Sequence, residues 1–212
     1  MAKDNTFDFN EEFRSSRIRE VGEGEFYWTE VDILEINDLQ TANNLRSSLE
    51  SFGIKVNIFG AAQGRHVVKV LGSNEYAKAP YLLICAHGGD EDGYIHMGSE
   101  LVGELAEAQP FHKNMTPGDL EKFVNVKDKV VINVACVGGE KRLADVFINK
   151  GEASAYIADT SSPFGYSSAL FPTLLFYFLT NYSNMTFNEA FERAKNADVS
   201  EFKTWTLFEK NA

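Results

Sequence analysis

The sequence predicts an α/β protein, a three-layer α/β/α sandwich around a mostly parallel central sheet, on three observations. Three short apolar runs, Tyr81–Ala86 (YLLICA), Val130–Ala135 (VVINVA) and Ala153–Ala158 (ASAYIA), have the length and continuity of buried parallel strands. Segments of helical periodicity with recognisable caps lie between and after them. Strand and helix alternating in this way place helices on both faces of a parallel sheet.

The elements follow in order. Residues 1–23 are polar with scattered phenylalanines and read as an N-terminal arm, leaving 24–212 as a single domain. Phe26–Ile36 reads as a first strand through Val31, Ile33, Leu34 and Ile36. Asp38 is placed to cap a helix running to about Phe52, with Leu39, Leu45, Leu49 and Phe52 on one face and Gly53 as its stop. Ile54–Phe59 is a second strand. Gly60–Lys78 stays open between helix and strand, with Val67, Val68, Val70 and Leu71 as its apolar content. After YLLICA come a polar loop at Asp90–Gly93, a helical stretch at Ser99–Ala106, and a helix entered at Thr116-Pro117 and reaching Phe123. Glu140–Lys150 is helical up to Gly151. Thr160–Tyr166 is a loop, and Ser167–Asn181 and Phe187–Ala197 are helices. Thr186 and Glu189 form a capping box at the start of the last helix, and Lys203–Phe208 is a final strand.

Composition narrows the function. Of 212 residues, 44% are hydrophobic and 24% charged, the balance of a folded domain. The formal net charge of −11 argues against a broad nucleic-acid surface and favours a basic segment of substrate or partner. The most apolar stretch, Ala169–Leu179, is too short for a membrane span and contains Pro172. The start MAKDNTFDFNEEF lacks the basic opening and apolar run of a secretory signal, which points to the cytoplasm. Only Cys85 and Cys136 are present, both expected as thiols.

The chemistry-bearing residues fall where such folds build sites, just past the carboxyl ends of core strands. Cys136 follows VVINVA and precedes Gly138, Gly139 and a helix. The helix amides, with Lys141 and Arg142 in its first turn, would favour a thiolate. A nucleophilic cysteine needs a base within hydrogen-bond reach, and His87, which ends YLLICA, is the candidate. Gly88 and Cys136 offer backbone N–H groups as an oxyanion hole. Cys85 lies inside its apolar run and reads as core.

The stretches ICAHGGDEDGYI and VVINVACVGG resemble the paired His-Gly and Ala-Cys-x-Gly signatures of caspase-like cysteine peptidases, a clan that includes caspases, metacaspases, separase and CHAT proteases. The run LADVFINKGEASAYIADTSSPFGYSSALFPTLLFYFL resembles the CHAT branch, and the likeness spans roughly Val31 to Phe178. The resemblance implies a caspase-like fold and hydrolysis of peptide bonds through a thioester. His87 and Cys136 would form the catalytic dyad and Gly88 part of the oxyanion hole, with no cofactor in the bond-breaking step. Val134 stands where caspases carry Gln, so caspase specificity for Asp is not implied. An acidic pocket for a basic P1 residue would draw on Asp159, Asp90 or Asp92. Family analogy further suggests an enzyme held inactive until a partner protein, a small signalling ligand such as a nucleotide, or calcium arrives, in bacterial antiviral defence or cell death.

Other readings compete. His87, Asp90, Asp92, His96 and His112 are possible metal ligands but match no zinc spacing, and Asp90, Glu91 and Asp92 suit at most a regulatory calcium. A catalytically silent module binding a ligand or partner at the same crevice is one alternative. A cysteine amidohydrolase using the same dyad is another.

Overall fold

The computed structural model describes residues 29–89, 93–98, 103–111, 114–162, 165–182 and 185–210. The expected N-terminal arm, the start of the first strand, and Asp90, Glu91, Asp92 and His112 lie outside them. The sheet is built from β1 (Thr29–Ile36), β2 (Ile54–Gly60), β3 (Tyr81–Gly89), β6 (Val130–Asn133), β7 (Ala155–Asp159) and β8 (Trp205–Glu209), in the order β2-β1-β3-β6-β7-β8. The first five are mutually parallel, and β8 closes the edge antiparallel to β7. Two short strands, β4 (Tyr94–His96) and β5 (Asn114–Met115), form an antiparallel extension from the carboxyl end of β3.

Helices cover both faces, so the expected α/β/α layering is the observed one. Alternate residues of each strand feed two separate cores. On one side Leu82, Ile84, Val131 and Tyr156 pack with Val67, Val70 and Leu71 of helix α2 (Gly64–Leu71). Phe147 joins them from the segment after α3 (Lys141–Asp145). On the other side Leu83, Cys85, Ile132 and Ile157 meet α1 (Leu39–Ser51), α4 (Gly165–Asn181) and α5 (Phe187–Lys195). Within that core Trp205 stacks on Phe171 with ring centroids 4.2 Å apart. No helix among the described residues is long and apolar enough to cross a membrane.

Several elements differ from expectation. The open segment contains α2, whose apolar positions fall on one helical face. β3 runs past Ala86 to Gly89, because β4 pairs with His87, Gly88 and Gly89 and continues the ladder. In α1 the buried residues are Thr41, Ala42, Leu45 and Leu49, while Leu39 is 58% exposed. Six residues of helix carry Leu39 about a third of a turn away from Leu45. Glu140–Lys150 is not one α-helix: the α-helical turn ends at Asp145 and Val146–Lys150 is a π turn. There the Gly151 N–H reaches back five residues to the Val146 carbonyl. Lys203–Phe208 begins as a 3-10 turn and becomes strand only at Trp205.

A buried polar cluster ties the sheet together near the amino end of β3. The Asp32 carboxylate accepts hydrogen bonds from Asn57 Nδ2 (2.9 Å) and from the Ala79 N–H (2.8 Å). Lys129 Nζ donates to the Ala79 carbonyl at 2.6 Å. Burial lowers the pKa of the Lys129 ammonium, and the Asp32 charge opposes that shift. Asp32→Ala removes the acceptor of the Asn57 and Ala79 donors and the negative charge near the buried Lys129 ammonium. It is expected to destabilise the fold by about 1–3 kcal/mol, read as a lower urea midpoint at unchanged m-value.

Candidate active site

Strand register brings the two proposed reacting residues together. Ile84 of β3 pairs with Asn133 of β6, and His87 and Cys136 each lie three residues beyond that pair. His87 shares the strand face of Leu83 and Cys85, so its side chain is directed to the α1–α4 side of the sheet. His87 is exposed and Cys136 partly so. Both line one crevice of about 390 Å³, whose walls include Val134, Asp38 and Thr41 of the α1 start, and Tyr166 and Ser168 of the α4 start. Tyr166 is 87% exposed at its rim.

Why the chain turns at Cys136 is visible in the hydrogen bonds beneath it. Past the end of β6, the Val134 N–H still bonds the Ile84 carbonyl (3.0 Å). Asn133 Oδ1 then takes the Ala135 N–H at 3.0 Å, which bends the backbone out of the strand. Asn133 Nδ2 donates to the Tyr156 hydroxyl (2.9 Å), and that hydroxyl donates to the Gly138 carbonyl (2.7 Å). Asn133 and Tyr156 are fully buried, and the Tyr156 ring stacks on Phe147 at 4.9 Å. Burial raises the pKa of the Tyr156 hydroxyl, so it stays a neutral donor. Val137 is held at φ 56°, a conformation that strains a β-branched residue, and its N–H is held by the Ser161 carbonyl at 2.7 Å.

The glycines of the two motifs are explained by close backbone approach. A Cβ on Gly88 would lie 2.6 Å from the Cys136 carbonyl oxygen and 2.7 Å from that of Tyr94. A Cβ on Gly138 would lie 2.8 Å from Asn133 Nδ2. The His-Gly and Cys-x-Gly signatures thus interlock, one strand end packed directly on the other. Among the described residues the Cys136 N–H has no hydrogen-bond partner and borders this contact.

The remaining expectations divide. Cys85 is fully buried, and burial, then the Asp38 and Glu35 charges, push its thiol well above the ordinary range. The helix after Cys136 starts only at Lys141, and the Glu140 carboxylate caps it by accepting the Lys141 N–H. Lys141 is paired with Asp145 at 2.6 Å. Glu140 thus offsets the positive charge of the helix end, and Asp145 that of Lys141.

Asp159 is fully buried at the end of β7 and does not line the crevice. Its Oδ1 accepts the Ser161 N–H and hydroxyl, both at 2.7 Å, while Oδ2 is buried without a partner among the described residues. Asp90 and Asp92 fall outside the described residues, as do Glu91 and His112 of the metal reading. His96 stands opposite His87 in the ladder and shares a 2.8 Å hydrogen bond with Asn114. Among the described residues no three His, Cys, Asp or Glu side chains gather as metal ligands would.

Among the described residues the acid that lines the crevice is Asp38, which the sequence identifies only as a helix cap. It is one: its Oδ1 accepts the Thr41 N–H at 3.3 Å. Its position just past the carboxyl end of β1, the strand beside β3, is the signal that could have marked it for the site.

No protein-family model matches the sequence, and no curated protein matches it. Among solved structures the fold is similar to two crystal structures of the Saccharomyces cerevisiae separase–securin complex, determined at 2.6 and 3.0 Å. Both give a TM-score of 0.51, at 9% and 10% identity. Each alignment covers 85% of this chain and 12% of the matched chain, so this chain corresponds to a small part of that polypeptide. At such identity the likeness establishes the caspase-like fold, and the chemistry rests on the residues.

Two measurements test the geometry. In the native protein iodoacetamide is expected to modify Cys136 and leave Cys85 untouched until the chain is unfolded, read by peptide mass mapping. Tyr156→Phe keeps the stacked ring and removes both hydroxyl hydrogen bonds. It is expected to cost about 1–3 kcal/mol in chemical denaturation and to change the alkylation rate of Cys136 in the folded protein.

Proposed function

We propose that this chain is a caspase-like cysteine endopeptidase domain of the CHAT type, with Cys136 as nucleophile and His87 as general base. The observation that carries the reading is that both residues, each three positions past the last β3–β6 pair, line one crevice. The Cys136 sulfur attacks the carbonyl carbon of the scissile peptide as its proton passes to His87. The N–H groups of Gly88 and Cys136 stabilise the oxyanion. Collapse expels the amine, which takes the proton from His87, and leaves a thioester. Water, deprotonated by His87, then releases the acid and restores the thiol.

The crevice suits a basic residue at P1. Asp38 supplies a carboxylate on its wall, and the net charge of −11 attracts basic segments. Asp159, whose buried Oδ2 has no partner among the described residues, is a second acid for such a pocket; Asp90 and Asp92 complete the candidate set. A carboxylate on the helix end expected to activate the thiol fits a cytoplasmic protease held inactive until a partner protein, a nucleotide signal or calcium arrives. A role in bacterial defence or cell death follows by analogy. The Glu140 cap equally favours a second reading, a catalytically silent module that binds its ligand in the same crevice.

Peptidyl acyloxymethyl ketones with Arg or Asp at P1 separate these readings. The Arg probe is expected to label wild type and Cys85→Ala, to fail on Cys136→Ala, and to label His87→Ala at least 100-fold more slowly. Asp38→Asn should weaken the Arg probe and spare a neutral-P1 analogue. Absence of labelling by either probe, with calcium, cyclic nucleotides or cell lysate added, would establish the silent module in its place.

A further inference from the structure

Three side chains stand in one row across the ribbon that extends β3, and the proposed catalysis uses only the first of them. His87 of β3 is directly opposite His96 of β4, and His96 is directly opposite Asn114 of β5. Residues so opposed in antiparallel strands project from the same face. Their neighbours agree: Ile95, Met97 and Met115 are buried in the core on the α2 side, so His96 and Asn114 project to the other side, that of His87. His96 and Asn114 are half-buried and His87 is exposed. β1 and β6 flank β3. β4 continues on the β1 side, because Gly98, two residues past His96, packs on Asn37, the residue after β1. Cys136 lies past the end of β6, on the other side. His87 thus has the thiol on one flank and His96 on the other.

We propose that His96, held by Asn114, is a positioning residue for His87. Asn114 Oδ1 is an amide oxygen and only accepts, so its 2.8 Å bond puts a proton on His96 Nδ1. In the neutral ring Nε2 is then an acceptor. His87 has the complementary need. To take the thiol proton it presents a lone pair toward Cys136, and its other ring nitrogen carries an N–H that has no acceptor among the described residues. Directly opposed Cβ atoms lie about 4.5–5.5 Å apart, so rotation of the His87 ring, without backbone movement, brings that N–H to His96 Nε2. The bond fixes the tautomer in which His87 is a base and stabilises the imidazolium formed when it takes the proton. Asn114 acts through His96: without it the His96 ring is free to turn a donor, instead of its lone pair, toward His87. The purpose of this bond rests on the peptidase reading above, while the bond itself is measurable without catalysis.

The test has two readouts. In Cys136→Ala, long-range proton–nitrogen NMR spectra at a pH where both rings are neutral identify the tautomer of each, assigned by signal loss in His87→Ala and His96→Leu. A single His87 tautomer is expected with His96 present and a mixture in His96→Leu. His96→Gln should restore the single form, because its amide oxygen accepts the His87 N–H while its nitrogen donates to Asn114. Asn114→Ala should give the mixture as well, so the role is read even if His96→Leu does not fold; circular dichroism checks each variant. The second readout is labelling by the Arg-P1 probe. His96→Leu should slow the inactivation step about tenfold or more at unchanged probe affinity, and should cause no further loss in His87→Ala. His96→Gln should recover most of the rate. An unchanged His87 tautomer in folded His96→Leu and Asn114→Ala, or an equal loss of rate from His96→Leu with and without His87, overturns the proposal. Failure of the wild type to label overturns the peptidase reading alone, and the tautomer then decides whether His96 holds His87.

Discussion

The parallel pairing of β3 with β6 is the constraint on which the candidate site depends. Pairing in a sheet is quantised: a one-residue slip sends every side chain to the opposite face. The apolar residues of both strands fill two cores, so the register is locked by everything packed above and below it. His87 and Cys136 inherit their juxtaposition from that lock. Asn133 and Tyr156 then convert the end of β6 into a turn, using buried hydrogen bonds that have no competing water. Buried polar networks of this kind are unforgiving, since a half-satisfied one costs more than an apolar replacement.

The same edge of the sheet carries two cavities, and the chain between β1 and α1 separates them. Glu35 faces one and Asp38 the other, with a hydrogen bond between them. Asn37, between these two acids, is held in the left-handed region by its packing on Gly98. Two carboxylates so close, in a strongly acidic protein, set a local field that disfavours anions and adds to burial, the larger cause, in raising the neighbouring Cys85 thiol. Cys136, across the crevice and partly exposed, is the cysteine that solvent and substrate reach. Strand-end topology, more than any one residue, sorts the two thiols into an inert one and an accessible one.

Likeness to separase places the chain in a known architecture and leaves its chemistry to be argued from its own residues. One fold hosts many functions, so the weight falls on the crevice: a thiol, an imidazole and an acid on adjacent strand ends. The short α3, its Glu140 cap and the strained Val137 are features of this chain, and together they describe a turn after β6 held by tertiary hydrogen bonds.

The sequence by itself determined the six strands of the main sheet, the layer order and the position of His87 and Cys136 at strand ends, because each is written locally in apolar runs of strand length followed by glycine; the short β4 and β5 carry no such run. Capping at Asp38, Thr116 and Thr186 was legible for the same reason, since a cap is a contact across three residues. Tertiary structure alone decided which acid reaches the crevice. Among the described residues Asp38 does and Asp159 does not, since β1 lies beside β3 while β7 lies beyond β6. It also decided that Glu140 caps the amino end of α3, and that His96 and Asn114, 18 residues apart in the sequence, meet beside His87. Local periodicity records which side chains are buried. It carries no record of which distant ones meet, because that depends on strand order and register, and these are fixed only when the whole sheet packs.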